Sequence, residues 1–145
     1  MKDLAILFKR DLERLSDEIK QYPNDESLWS LEDGINNSGG NLCLHLCGNL
    51  RHFIGKNIGE DGYVRNRERE FTAKGLTKDE LLLEIEEAKK VVSEIVAQLN
   101  DEALASSYPE NVPIPDTTVR HVLIHLYAHL SYHLGQINYH RRLLT

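Results

Sequence analysis

The stretch HVLIHLYAHLSYHLGQI, residues 121–137, contains a histidine at every fourth position: His121, His125, His129 and His133. Apolar residues recur between them at helical spacing, so the stretch predicts one amphipathic helix. Its N-terminal cap can come from Asp116, Thr117 or Thr118, and the periodic pattern continues to about residue 143.

Three more segments have helical periodicity, and none alternates as a strand does. The first runs from about residue 2 to residue 21 and ends before Pro23, which cannot continue a helix. The second, about residues 41–57, follows a Ser-Gly-Gly breaker. The third begins after Thr77, which with Glu80 predicts a capping box, and runs to about residue 100.

The connections at residues 58–76 and 101–114 are longer than a simple up-and-down bundle needs, and they lack strong periodicity. No internal repeat or low-complexity linker suggests a second domain. We therefore predict an all-α protein formed by a single domain over residues 1–145, a four-helix bundle with long crossover connections.

The composition limits the classes of binding partner and the cellular compartment that we expect. The formal net charge of −6 disfavours nucleic acid and anionic membrane surfaces, which repel an acidic protein. No apolar run reaches the roughly 18 residues that a membrane span needs, and charges interrupt what would be a signal peptide. Cys43 and Cys47 lie four apart on an apolar face, where buried reduced thiols are expected. We expect a cytoplasmic protein.

Helix geometry limits which histidines can share a site. Each four-residue step turns a side chain by about 40° and advances it by about 6 Å, so only neighbours in the series can bind one ion. On the helical wheel His129 and His133 lie nearest to the apolar direction, and His121 lies furthest from it. A single histidine beside an apolar face is more often a hydrogen-bonded polar side chain than a ligand. Two at this spacing make a metal site competitive, because both imidazoles can reach one ion.

The second helix offers a third ligand. Its segment NLCLHLCGNLRHF, residues 41–53, places His45, Asn49 and His52 along one polar strip. Either histidine could reach the pair, and periodicity alone does not choose between them. Gly48 would let another group approach the helix closely, at some cost in helix stability. We expect the remaining histidines, His121, His125 and His140, to lie at the surface or in an interface.

Three motifs resemble the DinB/YfiT-like superfamily of metal-dependent four-helix bundles, in particular a bacterial branch without an assigned reaction. They are LHLCGNLRHFIG in the second helix, RNREREF in the connection that follows and AHLSYHLGQINY in the fourth helix. The resemblance extends over nearly the whole chain in helix order. It implies one metal-binding histidine from the second helix and two, four residues apart, from the fourth.

Carried over by position, the resemblance implies that His45, His129 and His133 bind a divalent metal. Three imidazoles leave open coordination positions and fit zinc or nickel best, with iron(II) and manganese as further candidates. Asn49 and Gln136 could orient a substrate or a ligating imidazole. No obvious catalytic carboxylate lies in either histidine motif, so a general base is unassigned.

The charged segment RNREREF allows two interpretations. Arg65 and Arg67 could hold an anionic substrate, such as a carboxylate-bearing thiol, over the pocket. A solvated and charge-balanced connection, in which Glu68 and Glu70 offset the arginines, is the alternative.

The predicted function is a metal-dependent transferase or hydrolase acting on a small molecule, and the resemblance implies a low-molecular-weight thiol as a possible co-substrate. The alternative is a non-catalytic, stress-related bundle in which the metal stabilises the structure. A fourth protein ligand would favour that alternative, whereas an open coordination position beside a cavity would favour the enzyme. We also expect a homodimer, which the resemblance implies.

Overall fold

Helices form the regular secondary structure of residues 2–145, the part of the chain that the computed structural model describes. Over these residues no β-strand forms, so the all-α prediction is confirmed. In chain order the helices are α1 (Lys2–Lys20), α2 (Gly39–Leu50), α3 (Arg67–Thr72), α4 (Lys78–Gln98), α5 (Asp101–Ala105) and α6 (Val119–Leu143).

The four long helices pack together as a helical bundle. Helix α1 packs against α4 and α6, and α2 packs against the same two helices, so α1 and α2 lie across the bundle from each other. Their apolar stripes face inward, and burying one leucine contributes roughly 1.5–3 kcal/mol. The stripe of α1 consists of Leu4, Phe8, Leu12, Leu15 and Ile19, all of them buried.

The predicted caps are present at two helix starts. Thr77 and Glu80 form the reciprocal capping box at the start of α4. Of the three candidates for α6, Thr118 is the cap, and its side chain accepts a hydrogen bond from the backbone N–H of His121. Asp116 has a φ of 49°, a left-handed conformation that belongs to the preceding turn.

Both long connections contain a short helix that the sequence periodicity did not predict. Helix α3 lies in the first connection and α5 in the second. Asn66 caps α3 and Asn100 caps α5, each through a side-chain oxygen that accepts a backbone N–H. Helices of six and five residues are too short to show a 3.6-residue repeat, so only these caps could have indicated them.

Helix α2 is buried along its whole length, although it carries three polar side chains at four-residue spacing: Asn41, His45 and Asn49. Buried polar groups need hydrogen-bonding partners. The Asn41 amide donates to the carbonyls of Glu70 at 3.0 Å and Ala73 at 2.8 Å, which fastens α3 against α2. The polar stripe of α2 is therefore covered at its start by α3.

The predicted second helix changes its hydrogen bonding after Leu50. A π-helical segment, Arg51–Lys56, follows α2, with i to i+5 bonds such as Asn57 N–H to the His52 carbonyl at 3.1 Å. The second crossover packs on this segment, because the Asn57 amide donates to Glu110 at 2.7 Å and to Tyr108 Oη at 3.0 Å. Segments of π-helix occur frequently at functional sites.

The prediction for His140 is wrong, since its side chain is buried. Tyr22 Oη lies 2.7 Å from His140 Nδ1, and the Ser30 carbonyl lies 2.9 Å from its Nε2. The loop between α1 and α2, which contains Tyr22 and Ser30, folds over the last turns of α6. A helical wheel of α6 contains no information about this contact. Within residues 2–145, no helix has both the length and the apolar character that crossing a membrane requires.

Candidate metal centre

Three imidazoles meet where α2 and α6 pack together. His129 Nε2 lies 3.1 Å from His45 Nε2 and 3.1 Å from His133 Nε2. One ligand atom from each residue lies within 4.8 Å of the other two. The pair on α6 meets because residues four apart lie on one face of a helix.

Two of these imidazoles are oriented by a partner on the nitrogen that faces away from the cluster. His45 Nδ1 donates to Glu70 Oε1 at 3.0 Å, and His133 Nδ1 donates to Gln136 Oε1 at 2.7 Å. A proton on Nδ1 leaves the lone pair on Nε2, so both rings present an acceptor nitrogen to the cluster. Partners of this kind set the tautomer and orientation of metal-binding histidines.

The partner of His45 is itself held in an ion pair. Arg65 donates to both carboxylate oxygens of Glu70, from Nε and Nη2, each at 2.8 Å. The Glu70 side chain is 5% exposed. Burial opposes ionisation, but the hydrogen bonds from His45 and Arg65 outweigh it and lower the pKa of Glu70. The carboxylate is therefore charged at neutral pH and accepts from His45.

Gly48 makes room for this carboxylate. A Cβ atom at position 48 would lie 2.1 Å from Glu70 Oε2, closer than any real contact. The close approach that the glycine predicted is thus made by the side chain of α3. Because residue 48 has no Cβ atom, the Glu70 side chain can lie against α2 at this position and reach His45, which is one helical turn before Gly48.

The pKa values of the α6 pair favour neutral rings. Burial, with the adjacent imidazoles of His133, His45 and His125, lowers the pKa of His129 to about 4. Burial also lowers the pKa of His133, although the contact with Gln136 partly opposes this. A neutral imidazole is the form that binds a metal, so the site is prepared for one at neutral pH.

The donor set fits a divalent transition metal. Three imidazole nitrogens converge, and no fourth histidine, cysteine or carboxylate joins them among residues 2–145. His129 Nδ1 is buried and has no hydrogen-bonding partner in this part of the chain. The three residues could hold a divalent ion and would leave it with open coordination positions.

A cavity of about 410 Å³ adjoins the cluster. Its polar lining includes His45, His129, Asn49, Arg65 and Arg67. Its apolar lining comes from the π-helical segment, the second crossover and α6: Phe53, Val112, Pro113, Ile114, Val122 and Leu126. The volume is within the range of small-molecule sites.

The remaining candidates lie in different environments. His52 lies apart from the cluster, and its Nε2 lies 3.2 Å from Glu110 Oε2. Of the two candidates on the second predicted helix, His45 is therefore the one that joins the pair on α6. His121 is exposed, as expected, and His125 is exposed while lining the cavity. Arg67 also lines the cavity, and its role in substrate binding stays a prediction.

Glu70 is the residue that sequence analysis missed. It is one of five charged residues in RNREREF, and this segment has no periodicity that assigns an inward face to any of them. One indication was available: a ligating histidine needs a partner for its second nitrogen, and neither histidine motif contains a carboxylate. RNREREF, which follows the second helix, supplies two such carboxylates, Glu68 and Glu70.

Comparison with known proteins places the chain in a family without an assigned function. A search of curated proteins gave no match. Residues 2–145 match the profile of a family described as "Protein of unknown function (DUF1572)". Because this match extends over nearly every residue of the sequence, the chain belongs to that family.

Proposed function

We propose that this chain is a DinB/YfiT-like metal-dependent enzyme in which His45, His129 and His133 hold one divalent ion. Its reaction is the transfer or hydrolysis of a group on a small molecule. The helix order, the histidine positions and the all-helical bundle support this proposal.

One observation carries the proposal: the three-histidine cluster has no fourth ligand from residues 2–145, and it borders a cavity large enough for a small molecule. Structural metal sites are usually closed by four protein ligands, whereas catalytic sites keep a position for substrate or water. The open side therefore favours catalysis over the alternative, a bundle that the metal merely stabilises.

The lining of the cavity favours one reaction class. When bound, the ion would supply Lewis acidity and lower the pKa of a water or thiol that binds to it. None of the residues that line the cavity is an aspartate or glutamate. Hydrolysis usually relies on a general base, whereas a thiol that loses its proton on binding is already a nucleophile. His125 also lines the cavity and is the side chain there that could act as a general base, so hydrolysis stays open as a second class. We favour transfer to a low-molecular-weight thiol, because that reaction needs no such base.

The residues of the chain have separate tasks in this proposal. Glu70, charged and paired with Arg65, keeps His45 in the tautomer that presents Nε2. Gln136 does the same for His133. The apolar walls of the cavity reduce the access of water, which strengthens the electrostatic interactions of a bound substrate.

The test starts with protein purified without a histidine tag. We expect elemental analysis to find about one zinc or nickel ion per chain, and thiol-dependent turnover of electrophilic test substrates by that metal-loaded protein. Removing the ion with a chelator should abolish turnover while the helical circular dichroism is retained, because the bundle has its own apolar core. Loss of helicity on chelation, with no turnover before it, would establish the structural alternative.

A further inference from the structure

The polar stripe of α2 ends in a group that the protein leaves without a partner. Asn41 and His45 are hydrogen-bonded to α3, but Asn49 Oδ1 is buried and has no hydrogen-bonding partner among residues 2–145. Asn49 is 7% exposed and lines the cavity. A buried amide oxygen without a partner destabilises the fold, which favours a role for this side chain at the cavity that it lines rather than in the packing of the helices.

The two arginines of the cavity differ in what they already bind. Arg65 is engaged by Glu70 through two hydrogen bonds. Arg67 has no carboxylate within ion-pair distance among residues 2–145, and its guanidinium stacks on the ring of Phe71, 5.1 Å from the centroid. That ring in turn packs on His45. Arg67 is therefore the arginine of the cavity whose charge is not offset by a carboxylate among residues 2–145, whereas the charge of Arg65 is already offset by Glu70.

The charge of the cavity is opposite to that of the protein. The chain has 23 acidic and 17 basic side chains, yet two arginines and no carboxylate line this cavity. A divalent ion at the three histidines would add further positive charge. Such a site attracts anions, and it repels cations and any metal chelate that carries a net positive charge.

We infer that the cavity binds a small organic acid with an apolar body, and this inference rests on the proposed function. Its anionic group pairs with Arg67, its hydrocarbon part packs against the wall formed by Val112, Ile114 and Leu126, and a polar group reaches Asn49. Arg65 is a positioning residue that acts on the metal site through Glu70 and His45. The two neighbouring arginines thus have different functions.

Binding of a matched pair of probes tests the charge of the ligand. The probes are 4-phenylbutanoate and its neutral amide, 4-phenylbutanamide, titrated by calorimetry into the metal-loaded protein. We expect the acid to bind about 10-fold more tightly than the amide, because one ion pair of about 1.4 kcal/mol corresponds to that ratio. Equal affinities would overturn the inference. Inorganic phosphate binding as tightly as the acid would overturn the part played by the apolar wall.

Variants of two stacked arginines locate the contact. In chelator-treated protein, where no ion adds its own attraction for an anion, Arg67→Gln should remove the preference for the acid and leave the affinity for the amide unchanged. Arg142→Gln is the matched control, because Arg142 stacks on Tyr139 far along α6 and does not line the cavity. It should leave the preference intact. An unchanged preference in Arg67→Gln would show that the acid binds elsewhere.

The same titrations separate this inference from the proposed function. The ion pair with Arg67 does not need the metal, so the acid should remain preferred in chelator-treated protein. A protein that binds no metal but keeps a preference dependent on Arg67 would contradict the proposed function alone. A protein that binds metal without the preference would contradict the present inference alone.

Two further measurements test the separate roles of Arg65 and Asn49. Arg65→Gln should weaken metal binding about 10-fold, as loss of a group that supports a ligand does, while the preference for the acid stays. Asn49→Leu should raise the melting temperature of the ligand-free protein, because it removes an unpaired buried amide. A lowered melting temperature would show that Asn49 serves the fold and would remove it from the binding site.

Discussion

Two buried histidines, His45 on α2 and His140 near the end of α6, have similar exposure but opposite surroundings. His45 is 7% exposed and His140 is 4% exposed. Both ring nitrogens of His140 are satisfied by the protein, one by Tyr22 Oη and the other by the Ser30 carbonyl. The Nε2 atom of His45 instead lies 3.1 Å from another imidazole nitrogen, His129 Nε2, and no other polar atom of residues 2–145 bonds to it.

This difference shows what distinguishes a structural histidine from a ligand. Burial and residue type are the same at both positions, so neither is informative. The second nitrogen decides: where a protein donor or acceptor occupies it, the ring holds the fold together. At His45 and His133 one nitrogen is anchored and the other meets further imidazole nitrogens, so these rings are positioned for an ion. His129 belongs to the same cluster, although its Nδ1 has no hydrogen-bonding partner among residues 2–145.

The strongest test of the comparison removes one histidine from each region. His129→Ala should weaken metal binding by at least about 100-fold, more than loss of a supporting residue does. His140→Ala should keep the metal and lower the free energy of unfolding by about 1–3 kcal/mol, because Tyr22 and Ser30 lose their partner. Elemental analysis and thermal melts measure both effects. His121→Ala, on the exposed face of α6, is the control and should change neither.

The comparison would fail if the results were exchanged. Loss of metal in His140→Ala, with full occupancy in His129→Ala, would place the ion at the wrong end of α6. Such a result would show that hydrogen-bond saturation does not separate the two kinds of histidine.

A second test displaces the hydrogen-bonding partner of His45 Nδ1 without changing any histidine. Gly48→Ala should displace the Glu70 carboxylate, since the new methyl group would lie 2.1 Å from Oε2. We expect metal affinity to fall by about 10–100-fold, as it does when a supporting group is lost. This should occur although alanine favours a helix by about 1 kcal/mol over glycine. Competition with a chromophoric chelator measures the affinity.

Gly135 provides the matched control for this substitution. It lies in α6, and an added Cβ there meets nothing within 4 Å. Gly135→Ala should stabilise the protein modestly and leave metal affinity unchanged. Equal metal affinities in the two alanine variants would contradict the role assigned to Glu70.

A third test uses pH on metal-free protein. An unfolded histidine titrates near about 6.5, whereas the pKa of His129 in the folded protein is lowered to about 4. As pH falls through this interval, the unfolded chain gains a proton that folded His129 does not accept. The free energy of unfolding should therefore decrease from about pH 6.5 towards about pH 4, and the contribution is fully present above about pH 6.5.

Melting temperatures of chelator-treated protein across this interval measure the effect. His129→Gln cannot titrate, so its melting temperature should fall less steeply than that of the wild type. Parallel curves for the two proteins would mean that the depressed pKa of His129 does not contribute.

The smallest expected effect concerns the outer face of α6, the helix that carries His129 and His133 of the cluster as well as His140. Four large apolar side chains are exposed on it: Ile124, Tyr132, Tyr139 and Leu143. We propose that this face contacts a second copy, so light scattering should give about twice 16.6 kDa. Tyr139→Glu should reduce the mass towards that of one chain without loss of metal, whereas Leu83→Glu on α4 should not. A wild-type mass near 16.6 kDa would refute the dimer.

Much of the bundle followed from local chemistry. Periodicity predicted the four long helices, because an amphipathic helix repeats its buried positions every three or four residues wherever it lies in the chain. The caps at Thr77 and Thr118 are equally local, since a cap bonds only to backbone two or three residues away. Neither prediction needs knowledge of the neighbouring helices.

The candidate site was predictable to the extent that it lies on one helix. The wheel selected His129 and His133, because their relation is set by the geometry of α6 alone. The choice of His45 over His52 came only from resemblance. Its physical basis is non-local: His45 faces α3 and α6, while the second crossover brings Glu110 to His52.

The sequence by itself therefore determined the helices and the pair of histidines on α6, whose interactions lie within a few residues. Tertiary structure decided the rest. It brought Glu70 from a six-residue helix against Gly48 and buried His140 under the loop at Ser30. It also left Asn49 Oδ1, beside a cavity, without a hydrogen-bonding partner among residues 2–145. Each of these depends on groups far apart in the chain that meet only when the bundle has packed, and no local pattern encodes their meeting.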